Sequence, residues 1–339
     1  MGIATTFLVD TLAAFCIVIS PHNQTDLLWS QWGGQIIRSS TIDLEFRDTI
    51  FVDSSENLSR VTNILFHPTN PEIIFAGGLM MKGIYRSTDM GNTWNIVHTS
   101  GIGQEWYGGE SVVACQNEDG SVKIVAASLT NGILLVSEDN GERWVEYSVP
   151  LVSSACSVSI VRNSPLIVAI GTKDGRIVRY DVSTHTSNIS WQNANVLYTE
   201  VPRIVQSNSN SSDFYAITVG HDTTGSNYGL LYSNDSGRSF TPHSFAGVSL
   251  WAIAQTNFHN LILGGFSEFS AFSGAGVLAE LLPSCPAIKY YVLGTEWSKS
   301  MPSVWDVEAQ LNKGKVTTFY VASEAGVFGV EYDSRFIKR

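Results

Sequence analysis

The chain has 339 residues, 44% of them hydrophobic, with 29 glycines and only 15% charged residues, well under the quarter or so usual for a soluble domain. Its formal net charge of -11 and isoelectric point near 5.0 argue against a nucleic-acid partner, since such binders need clustered Lys and Arg to displace counterions. Few charges among many small polar residues suit short strands joined by tight turns.

In chain order, the apolar stretch TTFLVDTLAAFCIVIS at 5–20 has no Lys or Arg ahead of it and is interrupted by Asp10. It reads as a strand pair rather than a signal peptide. No stretch approaches 18 consecutive apolar residues, so no transmembrane segment is expected. Cys16, Cys115 and Cys156 stand inside apolar runs and are expected to be buried free thiols, whereas Cys285 stands in the loop PSCP. With no C-x-x-C or H-E-x-x-H spacing, neither a metal nor another cofactor is expected. Five sequons, at Asn23, Asn57, Asn188, Asn210 and Asn234, fall in polar stretches that read as loops.

From residue 61 onward one pattern recurs: an apolar strand, a turn, a second strand, and a Gly before the third. It appears as VTNILFHPTNPEIIFAGG with GIYRS, GGESVVACQNEDGSVKIVAAS with GILLVS, and SACSVSIVRNSPLIVAIGT with GRIVRY. It continues as RIVQSNSNSSDFYAITVG with GLLYS, SLWAIAQTNFHNLILGG, and SVWDVEAQLNKGKVTTFYVAS with GVFGVEY.

Three of these units carry a Ser-x-Asp-x-Gly-x-x-aromatic turn: Ser87, Asp89, Gly91 and Trp94; Ser137, Asp139, Gly141 and Trp144; Ser233, Asp235, Gly237 and Phe240. The carboxylate can accept hydrogen bonds from the turn that follows, the Gly supplies a left-handed backbone, and the aromatic packs back over the hairpin. These residues are therefore expected to be structural. Ser87 and Ser137 stand 50 residues apart and Ser137 and Ser233 stand 96 apart, twice 48.

One intervening unit has thus lost the motif, and a repeat of about 48 residues fits seven times into the chain. Four short strands per unit without helical periodicity describe propeller blades. The expected architecture is all-β: a single seven-bladed β-propeller over 1–339, with blades at roughly 1–60, 61–99, 100–150, 151–200, 201–245, 246–299 and 300–339. The last unit lacks its outer strand; that strand, or part of a first blade, can come from the N-terminal segment around residues 3–20, closing the ring.

The Ser-x-Asp-x-Gly-x-x-Trp turns, and the run VTNILFHPTNPEIIFAGGLMMKGIYRSTDMGNTWNIV in particular, resemble the Asp-box (BNR) propellers, a group that includes sialidases, xyloglucanase-like glycoside hydrolases, sortilin-type receptors and photosystem II assembly factors. The resemblance implies that the motif turns join third and fourth strands on one face. Binding or catalysis would then use the opposite face and the central funnel.

The loops expected on that opposite face carry aromatics beside acids: Trp106, Tyr107, Glu105 and Glu110 in GQEWYGGE, Trp251 in SLWAIA, Glu268, Phe269 and Phe272 in SEFSAFSG, and Trp305 with Asp306 in SVWDVE. Flat rings beside carboxylates suit sugar stacking, although Trp251 and Trp305, at the start of inner strands, fit a core better. His221 and Asp222 in VGHDTTG form a further candidate pair. A glycosidase would need two facing carboxylates, whereas a sialidase would need an Arg-Ile-Pro motif and an arginine cluster. That motif is absent, and Arg86, Arg143 and Arg238 lie in or beside the motif turns.

No catalytic residue is therefore assigned. The expected role is a binding or scaffold propeller with a glycan or protein partner, at a cell surface or within a virion or other assembly. The alternative is a glycoside hydrolase.

Overall fold

A computed structural model describes residues 6–41, 43, 45–53, 59–99, 111–117, 119–127, 132–193, 199–220, 229–256, 260–267, 276–281, 288–290, 303–312 and 315–331. Among these are 28 strands and no helix.

After β1 (Thr6–Asp10), the first sheet comprises β2 (Ala14–Ile19), β3 (Asp26–Gln31), β4 (Gln35–Ser40) and β5 (Arg47–Val52). The second holds β6 (Arg60–Phe66), β7 (Ile74–Leu79), β8 (Ile84–Ser87) and β9 (Asn95–His98); the third, β10 (Val112–Gln116), β11 (Val122–Ala127), β12 (Ile133–Ser137) and β13 (Val145–Ser148). The fourth holds β14 (Ala155–Arg162), β15 (Ile167–Thr172), β16 (Arg176–Asp181) and β17 (Thr186–Gln192); the fifth, β18 (Thr199–Gln206), β19 (Phe214–Gly220), β20 (Leu230–Ser233) and β21 (Thr241–Ser244). The sixth holds β22 (Val248–Gln255), β23 (Leu261–Ser267), β24 (Gly276–Leu281) and β25 (Ile288–Tyr290). The seventh runs β26 (Val304–Asn312), β27 (Lys315–Ser323), β28 (Gly326–Glu331) and then β1.

The ring closes by exchange between its ends. β1 pairs antiparallel with β28, Leu8 opposite Phe328, while β2 opens the first sheet beside β3. The two N-terminal strands therefore do not pair with each other. They enter different sheets, and the first strands of successive sheets pack side by side until β26 meets β2.

Each sheet is sandwiched between two others, so its strands must be apolar on both faces, which is why they read as near-continuous hydrophobic runs. Seven apolar clusters each join one sheet to the next; the one linking the last sheet to the first includes Trp29, Ile37, Tyr320 and Val327. The fourth strands face solvent, and β9 and β13 are largely exposed.

The three motif turns share one hydrogen-bond scheme. Ser87 Oγ donates to Asp89 Oδ1 at 2.8 Å and accepts from the Gly91 N–H at 2.8 Å, while Asp89 Oδ1 accepts from the Thr93 N–H at 2.8 Å. Ser137 with Asp139, and Ser233 with Asp235, repeat it. Both the Gly and the residue before it adopt positive φ: Met90 and Gly91, Asn140 and Gly141, Ser236 and Gly237.

The aromatic residue does not pack only over its own hairpin. Trp94 Nε1 donates to the Ile50 carbonyl of the preceding sheet at 3.0 Å and its ring meets Phe51; Trp144 meets Phe75 in the same way. Phe240 joins the cluster containing Trp191 of the fourth sheet. Each turn thus fastens its sheet to the one before.

The three carboxyls are held below their ordinary range. For Asp89 the Thr93 hydroxyl and N–H do this; for Asp139 and Asp235 burial acts in the opposite sense but is outweighed by N–H and hydroxyl donors.

Two expectations need correction. Asn188 lies within β17, not in a loop, because the fourth strand of that sheet is a polar solvent edge. Cys115 is only half-buried on β10, whereas Cys16 and Cys156 are buried. Cys285 and Asn57 lie outside the described residues.

Candidate binding face and central channel

In each sheet the second strand ends and the third begins on one face, where the first strand of the next sheet also begins. The motif turns, joining third to fourth strands, emerge on the other. The first strands carry a shared irregularity. β6, β14, β22 and β26 each bulge near their start, at Thr62, Cys156, Trp251 and Trp305, and β2 and β18 do so at Phe15–Cys16 and Val201–Pro202. A bulge adds a residue and re-aims the side chains that follow.

Glycines on the paired second strands leave room for the close approach. A Cβ on Gly78 would overlap the Arg60 carbonyl, and one on Gly265 would overlap that of Ser249.

Behind the bulges lies a buried charge pair. Arg203 Nη2, from the fifth sheet, lies 2.7 Å from Asp306 Oδ1 of the seventh, with side chains 10% and 2% exposed. Asp306 Oδ2 also accepts from the Ile17 N–H of the first sheet at 2.9 Å, and Oδ1 from the Val307 N–H at 2.7 Å. Beside them, burial first and the Asp306 charge second push the Cys16 thiol well above its usual range, so it is a poor nucleophile.

At the same end of the first strands lies an eighth apolar cluster, Phe15, Val219, Trp251 and Trp305, drawn from four sheets. Phe15 stacks on Trp305 with ring centroids 5.0 Å apart and planes within 4°. Trp251 and Trp305 are 3% and 5% exposed. Of the two roles open to them, their environment is that of core residues, because the bulge turns each ring into the cluster.

Asp306, the one described acid of the candidate set, sits in the ion pair and not on an open surface. Glu105, Trp106, Tyr107, Glu110, His221, Asp222, Glu268, Phe269 and Phe272 lie outside the described residues. Among the described residues no group of three or more His, Cys, Asp and Glu is arranged to hold a metal.

One residue that the sequence reading passed over belongs to this neighbourhood. Trp32, in the turn from β3 to β4, is 46% exposed, and its ring meets Phe15 edge-on at 5.3 Å. The Arg60 guanidinium lies 3.8 Å from its ring centroid. The signal was present in the sequence: a Trp followed by Gly33 and Gly34, between two strands and within a loop class expected on the binding face.

Seven radial four-stranded sheets, closed by an N-terminal outer strand, define a seven-bladed β-propeller. No protein-family model and no curated protein matches the chain. Solved structures do.

The GH74 xyloglucanase from Xanthomonas campestris is similar at a TM-score of 0.68 and 13% identity, over 96% of this chain and 53% of that one. A streptogramin B lyase is similar at 0.61 and 11%, over 97% and 98%. The extracellular domain of what is described as a one-component system from B. thetaiotaomicron is similar at 0.62 and 11%, over 95% and 39%. The chain thus spans about two-fifths and half of the lengths of the last-named protein and the xyloglucanase. At these identities the likeness is one of fold.

Proposed function

We propose that this propeller is a non-enzymatic binding or scaffold unit that presents the face opposite its Ser-x-Asp turns to a glycan or protein partner, at a cell surface or within a larger assembly such as a virion. The observation that carries the reading is a set of exposed apolar side chains in the loops of that face. On that face Leu12, Trp32, Met80 and Leu151 are exposed by 40–60%, apolar surface that a partner would cover.

The shared serine-aspartate geometry of the three turns supports placing the chain among Asp-box propellers, in which those turns are structural. The xyloglucanase neighbour keeps a glycan among the partner classes. Of the acids that the rival glycoside hydrolase reading would call on, Asp306 is engaged by Arg203 and two backbone N–H groups and is buried away from any open surface.

The test is to identify what co-purifies with the native protein, and to repeat the capture with Leu12 and Met80 changed to Ser. Loss of the partner with an unchanged melting curve supports the reading. A partner retained at full strength by both variants, or measurable hydrolysis of an oligosaccharide, would overturn it.

A further inference from the structure

Trp32 differs from the other tryptophans of the channel end in having both a held face and an open flank. Three features hold it. Gly33 and Gly34 adopt φ of 75° and 66°, a left-handed pair that sharpens the turn carrying the indole. Gly34 is closely packed, since a Cβ there would lie 2.9 Å from Asp53 Cβ and 3.2 Å from Ser59 Cβ, and its carbonyl accepts from the Asp53 N–H at 3.0 Å. The Arg60 guanidinium, on a residue only 6% exposed, packs 3.8 Å from the centroid of the ring, and Phe15 abuts it edge-on.

Phe15 is in turn stacked on buried Trp305, so the indole stands on a cation and an aromatic column rooted in the core. An aromatic ring braced in this way, yet nearly half exposed, loses little conformational freedom when something settles on it. A buried ring would offer no surface, and an unbraced one would have to be ordered by its ligand.

We infer that Trp32 is the stacking platform of a saccharide site, taking the apolar face of a neutral pyranose; this rests on the proposed binding role of this face. A pyranose presents a flat patch of C–H groups that matches an indole ring in size. Neutral rather than anionic sugars are indicated, because a protein of net charge -11 repels sialylated or sulfated chains. Nucleobases, the other common stacking ligands, are disfavoured by the same charge.

The experiment prints neutral oligosaccharides, cellohexaose, xylohexaose and chitohexaose among them, as an array probed with the full chain, and follows the strongest by calorimetry and indole fluorescence. Expected is saturable binding that Trp32→Ala weakens roughly tenfold or more and that Trp32→Phe largely retains, with the melting temperature of both variants close to that of the unaltered protein. Binding unaltered in Trp32→Ala overturns the platform while leaving a glycan role for the face. No binding to any neutral saccharide overturns the inference outright, and a protein partner captured by the native chain would then show that the broader reading survives without it.

Discussion

Arg203 and Asp306 meet at 2.7 Å although the fifth and seventh blades that carry them are separated by the whole of the sixth. The Asp306 carboxylate also takes a hydrogen bond from Ile17 of the first blade, so one side chain ties together the blades on either side of the ring closure and one beyond. Removing one member of a buried ion pair typically costs about 3–5 kcal/mol. Asp306→Ala is expected to lie in that range, since it removes the charge opposite Arg203 and the acceptor of two backbone N–H groups together. Arg203→Met is expected to cost less, because the carboxylate keeps its two N–H donors. Equilibrium urea unfolding of both variants checks the order; equal or inverted losses would contradict the clasp.

The strand pairing of β1 with β28 predicts the effect of truncation. Deleting residues 1–10 removes the outer strand of the seventh blade and leaves β28 as an open edge. Lower thermal stability and concentration-dependent association are expected, since unpaired edges recruit other strands. Melting curves and light scattering over a range of concentrations report both.

Acid stability follows from the turn carboxyls. Asp89, Asp139 and Asp235 have pKa values lowered by folding, so the unfolded chain binds protons more readily than the folded one. Their contribution is complete above the unfolded value, about 3.9, and is lost as pH falls through the lower folded values. Replacing all three by Asn should lower stability at neutral pH and flatten the loss of melting temperature between about pH 5 and pH 2. An acid limb as steep as that of the unaltered protein would show that other carboxyls govern it.

Gly141 offers a backbone test. It sits at φ 81°, and an added Cβ would overlap the Phe75 ring of the preceding blade. Gly141→Ala should cost roughly 2 kcal/mol or more, from left-handed strain and overpacking together. Gly33→Ala, at φ 75° in open space, carries only the first of these and should cost less. Parallel denaturant titrations separate the two contributions.

Trp305→Ala should destabilise the fold by about 3–5 kcal/mol, the usual consequence of removing a buried indole. Trp32→Ala, at the exposed end of the same column, should cost much less. A comparable loss in both would mean that Trp32 is core in all but exposure.

The repeat was legible because it is local. The Ser-x-Asp-x-Gly turns close hydrogen bonds between residues at most four apart, so their chemistry is written in consecutive letters. Seven blades followed from the repeat length, and closure by the N-terminal segment from the missing outer strand of the last unit. The purpose of the turn aromatic was less visible, because the surfaces that Trp94 and Trp144 meet belong to the blade before.

The channel and the candidate site depended on relationships that no window of sequence contains. In a regular strand, parity decides which face a side chain takes. One inserted residue reverses it, so the facing of Trp251, Trp305 and Asp306 depended on bulges defined only against the paired strand. Arg203 and Asp306 stand 103 residues apart in the chain, and Trp32 is braced by an arginine from the next blade. Local hydrogen bonds and hydrophobic periodicity therefore determined the ring, its blade count and its closing strand. Which side chains pack at the centre of the ring, and that the Trp32 indole stays open above them, was decided when closure brought seven first strands around one axis.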